Sequence, residues 1–260
     1  MRAKTIETSS RTGTPHLASC LSTLDLLTAL YFSVLRIDPK NPRDIGRDRF
    51  ILSKGHGAMA LFHVLAHRGF YSEEMLITYG EDGGIFGEHP PAPDQLPGIE
   101  AATGSLGHGL PMSLGIALAA RIQKLSYNVY ALLGDGECNE GSIWECAMLA
   151  AAQRTNNLCA IVDFNKWQAT GRSQEILALN SLVDKWRAFG WDTHEIDGHD
   201  ISAILSALSN FPSACSKPTA IIAHTVKGKG VSFMEDDNNW HYRIPTEDEV
   251  LKSKEELGVL

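Results

Sequence analysis

Apolar positions in the middle of the chain form two continuous runs separated by a helical stripe. Residues 128–133 and Leu158–Asp163 are apolar runs of strand length. Glu140–Thr155, between them, has helical length. Its apolar stripe consists of Ile143, Ala147, Ala150 and Ala151. This order predicts a strand-helix-strand unit, in which both strands run parallel and end at the same edge of the sheet.

Similar patterns extend over most of the chain. Further helices are predicted over Pro15–Leu35, Gly57–Gly69, Glu73–Tyr79, Leu110–Leu125, Asn180–Phe189, Ile201–Ser209 and Thr246–Glu256. Further strands are predicted over Trp191–Ile196 and Ala220–His224, while Glu81–Gly98 is the longest irregular stretch. We therefore predict an α/β fold in one domain over residues 1–260, with an open, doubly wound, mostly parallel sheet and helices on both faces.

Polar residues follow the two central strands at the points where these strands end. Asp135 stands between Gly134 and Gly136 after the first strand, and Asn165 follows the second. One charged and one neutral oxygen ligand then face the crevice where open α/β sheets bind ligands. This arrangement suits Mg²⁺, which takes few protein oxygens and completes its coordination with phosphate and water. The two glycines let the backbone turn sharply and approach a diphosphate closely.

The whole span from Gly134 to Asn165 resembles the thiamine diphosphate motif in its transketolase form. A bare Gly-Asp-Gly sequence also occurs in ordinary turns, so the resemblance depends on a longer pattern. That pattern is GDGECNEGSIWECA, followed by the second strand and Asp-Phe-Asn. The resemblance implies the thiamine diphosphate-binding fold of a diphosphate-binding domain. It also implies that the chain binds thiamine diphosphate with Mg²⁺, or with another divalent cation such as Ca²⁺ or Mn²⁺.

The resemblance also implies roles for residues of this motif. The side chains of Asp135 and Asn165 and the main-chain carbonyl of Trp167 would be the metal ligands. Gly136 would contact the diphosphate, and Glu137 would contribute to cofactor binding.

Other motifs of the same family follow in the family's order, from about residue 15 to residue 245. The segments that resemble its SKGH, HP, TGSLG and KGxG…WH motifs are Ser53–Gly57, Gly87–Pro90, Thr103–Gly109, Lys227–Gly230 and Trp240-His241. By this resemblance, further cofactor contacts come from His56, Gly104, Ser105, Leu106 and Lys227. The implied catalytic residues are His16, His89, His241 and Lys54. Imidazoles can stabilise alkoxide charge or shuttle protons near neutral pH, and lysines can neutralise phosphate charge.

Two positions depart from the family pattern. Pro15 precedes His16 where the family has glycine, and proline stiffens that approach. After His241 the family commonly has glycine and a small residue, whereas Tyr242 and Arg243 stand here. These two side chains either adapt the pocket to an unusual substrate, by narrowing it or by contacting an anion, or belong to a surface loop.

Composition excludes some classes of function. The formal net charge of −8 does not favour binding to nucleic acid or to an anionic membrane. No apolar run approaches the ~20 residues of a spanning helix, and the first residues lack a signal-peptide core, so a cytoplasmic location is expected. The cysteines at positions 20, 138, 146, 159 and 215 form no C-x-x-C pair. This spacing indicates reduced thiols, most of them buried, rather than a disulfide or zinc framework.

Length bears on the assembly. A chain of 260 residues fits one large α/β domain. Single-chain transketolases are much longer, so the resemblance implies that the pyrimidine-binding and C-terminal domains lie on a partner, a C-terminal transketolase subunit. It further implies a dimer of heterodimers that acts on sugars or sugar phosphates. The implied reaction transfers a two-carbon glycolaldehyde unit from a ketose donor to an aldose acceptor.

Three alternatives stay open at this point. Another thiamine diphosphate reaction, such as 2-oxoacid decarboxylation with acyl transfer, uses related subunits, although the HP and WH histidines favour sugar chemistry. A non-catalytic regulatory subunit would keep the fold, although the intact metal ligands argue against it. A nucleotide-binding domain without thiamine has no support, because no G-x-G-x-x-G follows the first strand and no Walker lysine motif occurs.

Overall fold

A single parallel sheet runs through the computed structural model, which describes residues 1–179 and 181–259. Its strands are β1 (Arg49–Leu52), β2 (Val129–Gly134), β3 (Leu158–Phe164), β4 (Asp192–Asp197) and β5 (Thr219–His224). Their order across the sheet is β1-β2-β3-β5-β4, with each neighbouring pair parallel. The four predicted strands are confirmed to within one residue or so at their ends. Strand β1 is not predicted, because its four residues are too few to show a pattern.

Helices precede, separate and follow the strands. The α-helices in the described ranges are α1 (Arg2–Thr12), α2 (Leu17–Ala29), α3 (Ala58–Arg68), α4 (Gly109–Gln123), α5 (Gly141–Ala152), α6 (Ser173–Leu177), α7 (Leu182–Ala188), α8 (Ile201–Ser209) and α9 (Glu247–Glu256). Helix α1 is not predicted, since Ile6 is its one strongly apolar residue and no apolar period can appear. The short helix α6 is also not predicted.

Three predicted helices differ in detail. The helix predicted over Pro15–Leu35 is α2 followed by a π-helical turn, Leu30–Val34. The one predicted over Glu73–Tyr79 is a 3₁₀ helix, Glu73–Thr78. The one predicted over Asn180–Phe189 is α7, and the predicted first residue lies outside the described residues.

Apolar side chains pack on both faces of the sheet. On β2, Tyr130 and Leu132 belong to the core shared with α2, α3 and α8. Ala131 and Leu133 belong to the core shared with α4, α5 and α7, because successive strand side chains point to opposite faces. This arrangement confirms the predicted α/β fold, with an open parallel sheet covered by helices on both faces.

Segment Leu17–Val34 corrects one expectation. It has 18 residues and is apolar enough to cross a membrane by length and composition, whereas no such run was expected. In the fold, 72% of this segment is buried. A buried central helix passes the same test of length and composition as a membrane span, so this finding is weak support for a membrane segment.

The cysteines form no disulfide. All five are free thiols, four of them buried, while Cys215 is exposed. The prediction that most of the thiols are buried is confirmed.

Candidate active site

The loops that follow β1, β2 and β3 meet the start of α2 around one cavity of about 300 Å³. Gly134 pairs with Asp163 in the register of β2 and β3, so the two strands end together as predicted. The predicted site residues on the cavity wall are His16, Lys54, His56, Leu106, Asp135, Gly136, Glu137, Asn165, Trp167 and His241. His89 and Lys227 contact wall residues instead, Gly104 packs beside His89, and Ser105 is exposed in the neighbouring turn.

Asp135 follows β2 directly and is buried. Its Oδ2 accepts hydrogen bonds from the Lys166 backbone N–H at 2.9 Å and from Ser173 Oγ at 2.7 Å. Burial raises the pKa of Asp135 to about 6, because the charged form loses its hydration. A divalent cation bound at this carboxylate would act in the opposite direction and favour the ionised form.

Asn165 faces the same cavity with its amide held in one orientation. Its Nδ2 donates to Asp163 Oδ2 at 3.1 Å, and its Oδ1 accepts from the Trp167 backbone N–H at 3.0 Å. Lys166, between them, has a φ of 72°, in the left-handed region. This turn brings successive backbone N–H groups to Asp135 and Asn165, so the loop is folded around both predicted metal ligands.

Asp163 organises the floor of the cavity, a role that was not predicted. Its side chain is fully buried, and its Oδ2 accepts from Lys54 Nζ at 2.5 Å and from Ser22 Oγ at 2.7 Å. Thr225 Oγ1 donates to its other oxygen. Burial alone raises the pKa of Asp163, but the charge of Lys54 and these hydrogen bonds outweigh it and hold that pKa below its usual value. A carboxylate inside a buried strand was the available signal.

Lys54 is therefore not a free cation. Its ammonium group donates to Asp163 and to the Ser19 carbonyl at 3.2 Å. The side chain lies on the cavity wall, but the buried carboxylate of Asp163 balances its charge. This geometry favours a supporting role over the predicted direct neutralisation of substrate or transition-state charge.

Glu137 joins three of the predicted motifs. Its Oε1 accepts from Ser53 Oγ and from the Gly107 backbone N–H at 2.9 Å, and its Oε2 accepts from the Gly134 N–H at 3.2 Å. Both carboxylate oxygens are thus used inside the protein, and the side chain is almost fully buried. Glu137 therefore supports the turns, and its predicted contact with the cofactor stays a prediction.

Gly104 makes room for a predicted catalytic side chain. Its φ is 145°, and a Cβ at this position would lie 2.5 Å from Cδ2 of His89. Only glycine adopts this conformation readily and leaves that space. The TGSLG turn thereby sets the position of the His89 ring.

Four histidines form a row of edge-to-face rings along the cavity. The ring centroids are 4.7 Å apart for His89 and His56, 4.8 Å for His56 and His16, and 5.1 Å for His16 and His241. Burial is the largest cause, and the neighbouring histidine and lysine side chains act in the same direction. Together they lower the pKa of His16 and His56 to about 4 and that of His241 to about 3. These three imidazoles are neutral near pH 7, so each can accept a proton or donate a hydrogen bond.

Lys227 determines which nitrogen of His241 carries the proton. Its buried Nζ donates to Nδ1 of His241 at 2.8 Å and to Oδ1 of Asn238 at 2.7 Å. Because Nδ1 accepts, the neutral ring carries its proton on Nε2. Burial, and then the charge of Lys54, lowers the pKa of Lys227 to about 8.

The residues present fit a phosphorylated cofactor with its metal. Among the described residues, no three His, Cys, Asp or Glu side chains converge on a metal position. One carboxylate, one amide and one main-chain carbonyl instead suit Mg²⁺ that is also bound by diphosphate and water. Three buried polar atoms of the cavity wall find no hydrogen-bond partner within the described ranges: His16 Nδ1, Asn139 Oδ1 and Gln168 Nε2. A polar ligand would supply such partners.

A family model described as transketolase, thiamine diphosphate binding domain, matches residues 1–260. The chain belongs to the transketolase family. It is 41% identical over 257 residues to an apulose-4-phosphate transketolase subunit of Phocaeicola vulgatus, in a match that covers 99% of this chain and 91% of the relative. It is 43% identical over 235 residues to the 6-deoxy-6-sulfo-D-fructose transketolase subunit SqwG of a Clostridium species, covering 90% and 85%.

Longer transketolases match over only part of their length. Human transketolase is 37% identical over 242 residues, covering 93% of this chain and 38% of the human one. The crystal structure of transketolase from Campylobacter jejuni superposes with a TM-score of 0.90 at 28% identity, covering 99% of this chain and 42% of that one. A complex of Pichia stipitis transketolase with sedoheptulose 7-phosphate gives a TM-score of 0.91 at 27% identity, covering 99% and 39%. The chain is thus a subunit of a transketolase-type, thiamine diphosphate-dependent transferase.

Proposed function

We propose that this chain is the diphosphate- and Mg²⁺-binding subunit of a transketolase that acts with a separate pyrimidine-binding subunit. The reaction would transfer a two-carbon ketol unit, glycolaldehyde, from a ketose donor to an aldose acceptor. The observation that carries the proposal is the row of four histidine rings, three of which line the cavity that also holds the predicted metal ligands. Such a row offers hydrogen bonds to several sugar oxygens at once.

The chemistry of the transfer is balanced within the two sugars. The bond between C2 and C3 of the ketose breaks, and a bond forms to the aldehyde carbon of the aldose. The hydroxyl on C3 loses its proton, and the acceptor's carbonyl oxygen gains one, so no oxidant or reductant is needed. The neutral imidazoles can form hydrogen bonds with both oxygens at which a proton is lost or gained. Thiamine diphosphate, when bound, would supply the carbanion chemistry that the side chains lack.

The proposed roles belong to residues on the cavity wall and to residues directly behind or beside it. Asp135, Asn165 and the carbonyl of Trp167 would hold the metal. His16, His89 and His241 would hydrogen-bond the donor's oxygens, with Nε2–H of His241 as a defined donor. Contacts to the cofactor would come from His56, Gly104, Ser105, Leu106, Gly136 and Lys227.

The names and lengths of the relatives support the part of the proposal that concerns a partner subunit. Two relatives that this chain covers almost end to end are named as transketolase subunits. Relatives and solved structures more than twice as long are named simply as transketolases. We infer that a partner subunit provides the pyrimidine-binding domain and that the assembly is a dimer of heterodimers. We further propose that it acts in the cytoplasm on sugars or sugar phosphates.

A ketol-transfer assay tests the proposal. The chain, its co-purified partner and the two together are supplied with thiamine diphosphate, Mg²⁺, a ketose and an aldose. Transfer is expected only in the combined sample, and Asp135→Asn is expected to remove most of it. Asp82→Asn, which makes the same change at an exposed loop position, is the matched control.

Each other outcome of the assay has a defined meaning. Robust transfer by the chain alone would refute the need for a partner. Pyruvate decarboxylation without sugar transfer would favour a 2-oxoacid enzyme. An inert complex that still binds the cofactor would favour a regulatory subunit.

A further inference from the structure

Tyr242 lies at the mouth of the cavity, directly beside two of the four histidines. Its ring centroid is 4.6 Å from that of His241 and 5.7 Å from that of His16. The residue lines the cavity, yet 62% of its surface is exposed. Its hydroxyl group makes no hydrogen bond with any described residue of the chain. An aromatic face and a free hydroxyl are therefore presented to whatever occupies the cavity mouth.

The backbone around Tyr242 is fixed on both sides. Trp240 is fully buried and donates from its indole N–H to the Phe233 carbonyl at 2.9 Å. The His241 carbonyl accepts from the His16 N–H at 2.9 Å, which ties this segment to the start of α2. The position of Tyr242 is thus set by the core and is independent of its own exposed ring.

Arg243 is not part of the cavity wall. Its guanidinium lies 4.3 Å from the centre of the Trp240 ring and donates to Glu249 at 2.5 Å. Of the two roles considered for the departure after His241, an anion contact by Arg243 is therefore not supported. The narrowing of the cavity by Tyr242 is supported.

The charges of the wall indicate which substrate group meets Tyr242. The acidic residues that line the cavity are Asp135, Glu137 and Glu140. Among the described residues that line it, the lysine is Lys54, whose ammonium group is paired with Asp163. An anionic group at the mouth would find no unpaired lysine or arginine side chain among the described residues that line the cavity. A neutral hydroxyl group would find the phenol, and a carbon chain would find the face of its ring.

We propose that Tyr242 is a specificity-determining residue of the donor site, which contacts the ketose beside its two-carbon unit. The ring packs against the sugar's carbon chain, and the phenol hydrogen-bonds a neutral hydroxyl of that chain. This inference rests on the proposed function, because His16 and His241 locate the donor. It adds a contact of a kind that neither histidine provides, since the exposed phenol offers a hydroxyl group and an aromatic face.

Kinetics of two Tyr242 variants in the reconstituted complex test the proposal. Fructose 6-phosphate and sedoheptulose 7-phosphate serve as donors with one common aldose acceptor. Tyr242→Phe removes only the hydroxyl and is expected to lower kcat/KM about three- to tenfold, mainly through the donor KM. Tyr242→Ala also removes the ring, and is expected to change the ratio of kcat/KM between the two donors.

The controls separate substrate contact from damage to the fold. The Kd of thiamine diphosphate and the thermal midpoint should stay at their wild-type values in both variants. Tyr71→Phe removes a phenol that donates to the Phe62 carbonyl, away from the cavity, and should leave both donor KM values unchanged.

Two results would overturn the inference, and they are distinguishable. If the wild-type complex transfers ketol units and both Tyr242 variants match it within about twofold for each donor, Tyr242 does not contact the sugar. If the wild-type complex uses neither these donors nor any other ketose, the proposed function fails and the inference fails with it.

Discussion

The buried ion pair under the cavity gives the sharpest stability prediction. Asp163→Asn preserves the shape of the side chain but removes its charge, which leaves the ammonium group of Lys54 buried without a counter-ion. Breaking one partner of such a pair costs about 3–5 kcal/mol of unfolding free energy. In a domain of this size each kcal/mol shifts the thermal midpoint by about 2–4 °C, so we expect a fall of about 10 °C.

The assay is urea unfolding of the chain, followed by circular dichroism, for a double-mutant cycle. Lys54→Met and Asp163→Asn are measured singly and together. The double variant should be more stable than the sum of the single losses by about 1–3 kcal/mol, because neither charge is then left alone. Arg187→Gln, which removes an exposed ion pair with Asp184, should cost at most about 0.5 kcal/mol.

The pair also has a defined pH range. The pKa of Asp163 lies below its usual value, so the pair contributes its full stability above pH ~4 and loses it as the pH falls through the lower, folded-state pKa. A loss below about 1 kcal/mol for Asp163→Asn at pH 7, or strictly additive single variants, would refute the reasoning. Lys54 would then not depend on Asp163 for its charge.

Three further outcomes are expected. Asp135→Asn should weaken Mg²⁺-dependent binding of thiamine diphosphate at least about tenfold by calorimetry, and unchanged binding would remove this residue as a ligand. Gly104→Ala should displace His89 and lower ketol transfer at least about tenfold, while Gly141→Ala, at an open position, should not. Burial lowers the pKa of His63 to about 3, below its unfolded value, so the unfolded state binds more protons and the unfolding free energy falls as the pH drops below about 6.5. At pH 5 the unfolding free energy should be lower by about 2 kcal/mol from this group. His63→Gln should therefore show a smaller change in unfolding free energy between pH 7.5 and 5.

Local patterns were sufficient for the central part of the fold. The runs that became β2 and β3 are long and apolar, and parallel pairing follows from the helix between them. Asp135 and Asn165 could therefore be placed at one edge without coordinates. Strand β1 and helix α1 escaped prediction, because one is short and the other mostly polar.

The supporting contacts of the site could not be read from the sequence. Lys54 and Asp163 are 109 positions apart, and no local pattern indicates that they pair. Glu137 stands in a motif associated with the cofactor, yet its carboxylate is used by backbone and hydroxyl donors from two other loops. Arg243 illustrates the same limit, since its contacts with Trp240 and Glu249, which no local pattern indicates, place it off the cavity wall.

Calorimetric titration of thiamine diphosphate tests the central claim most directly. The chain is titrated in Mg²⁺ and again in EDTA, by itself and together with its partner. We predict metal-dependent binding that tightens when the partner is present, because the chain provides the diphosphate half of the site. No binding in the complex, or binding that is equally strong in EDTA, would contradict the assignment of Asp135, Asn165 and the Trp167 carbonyl as a metal and diphosphate site.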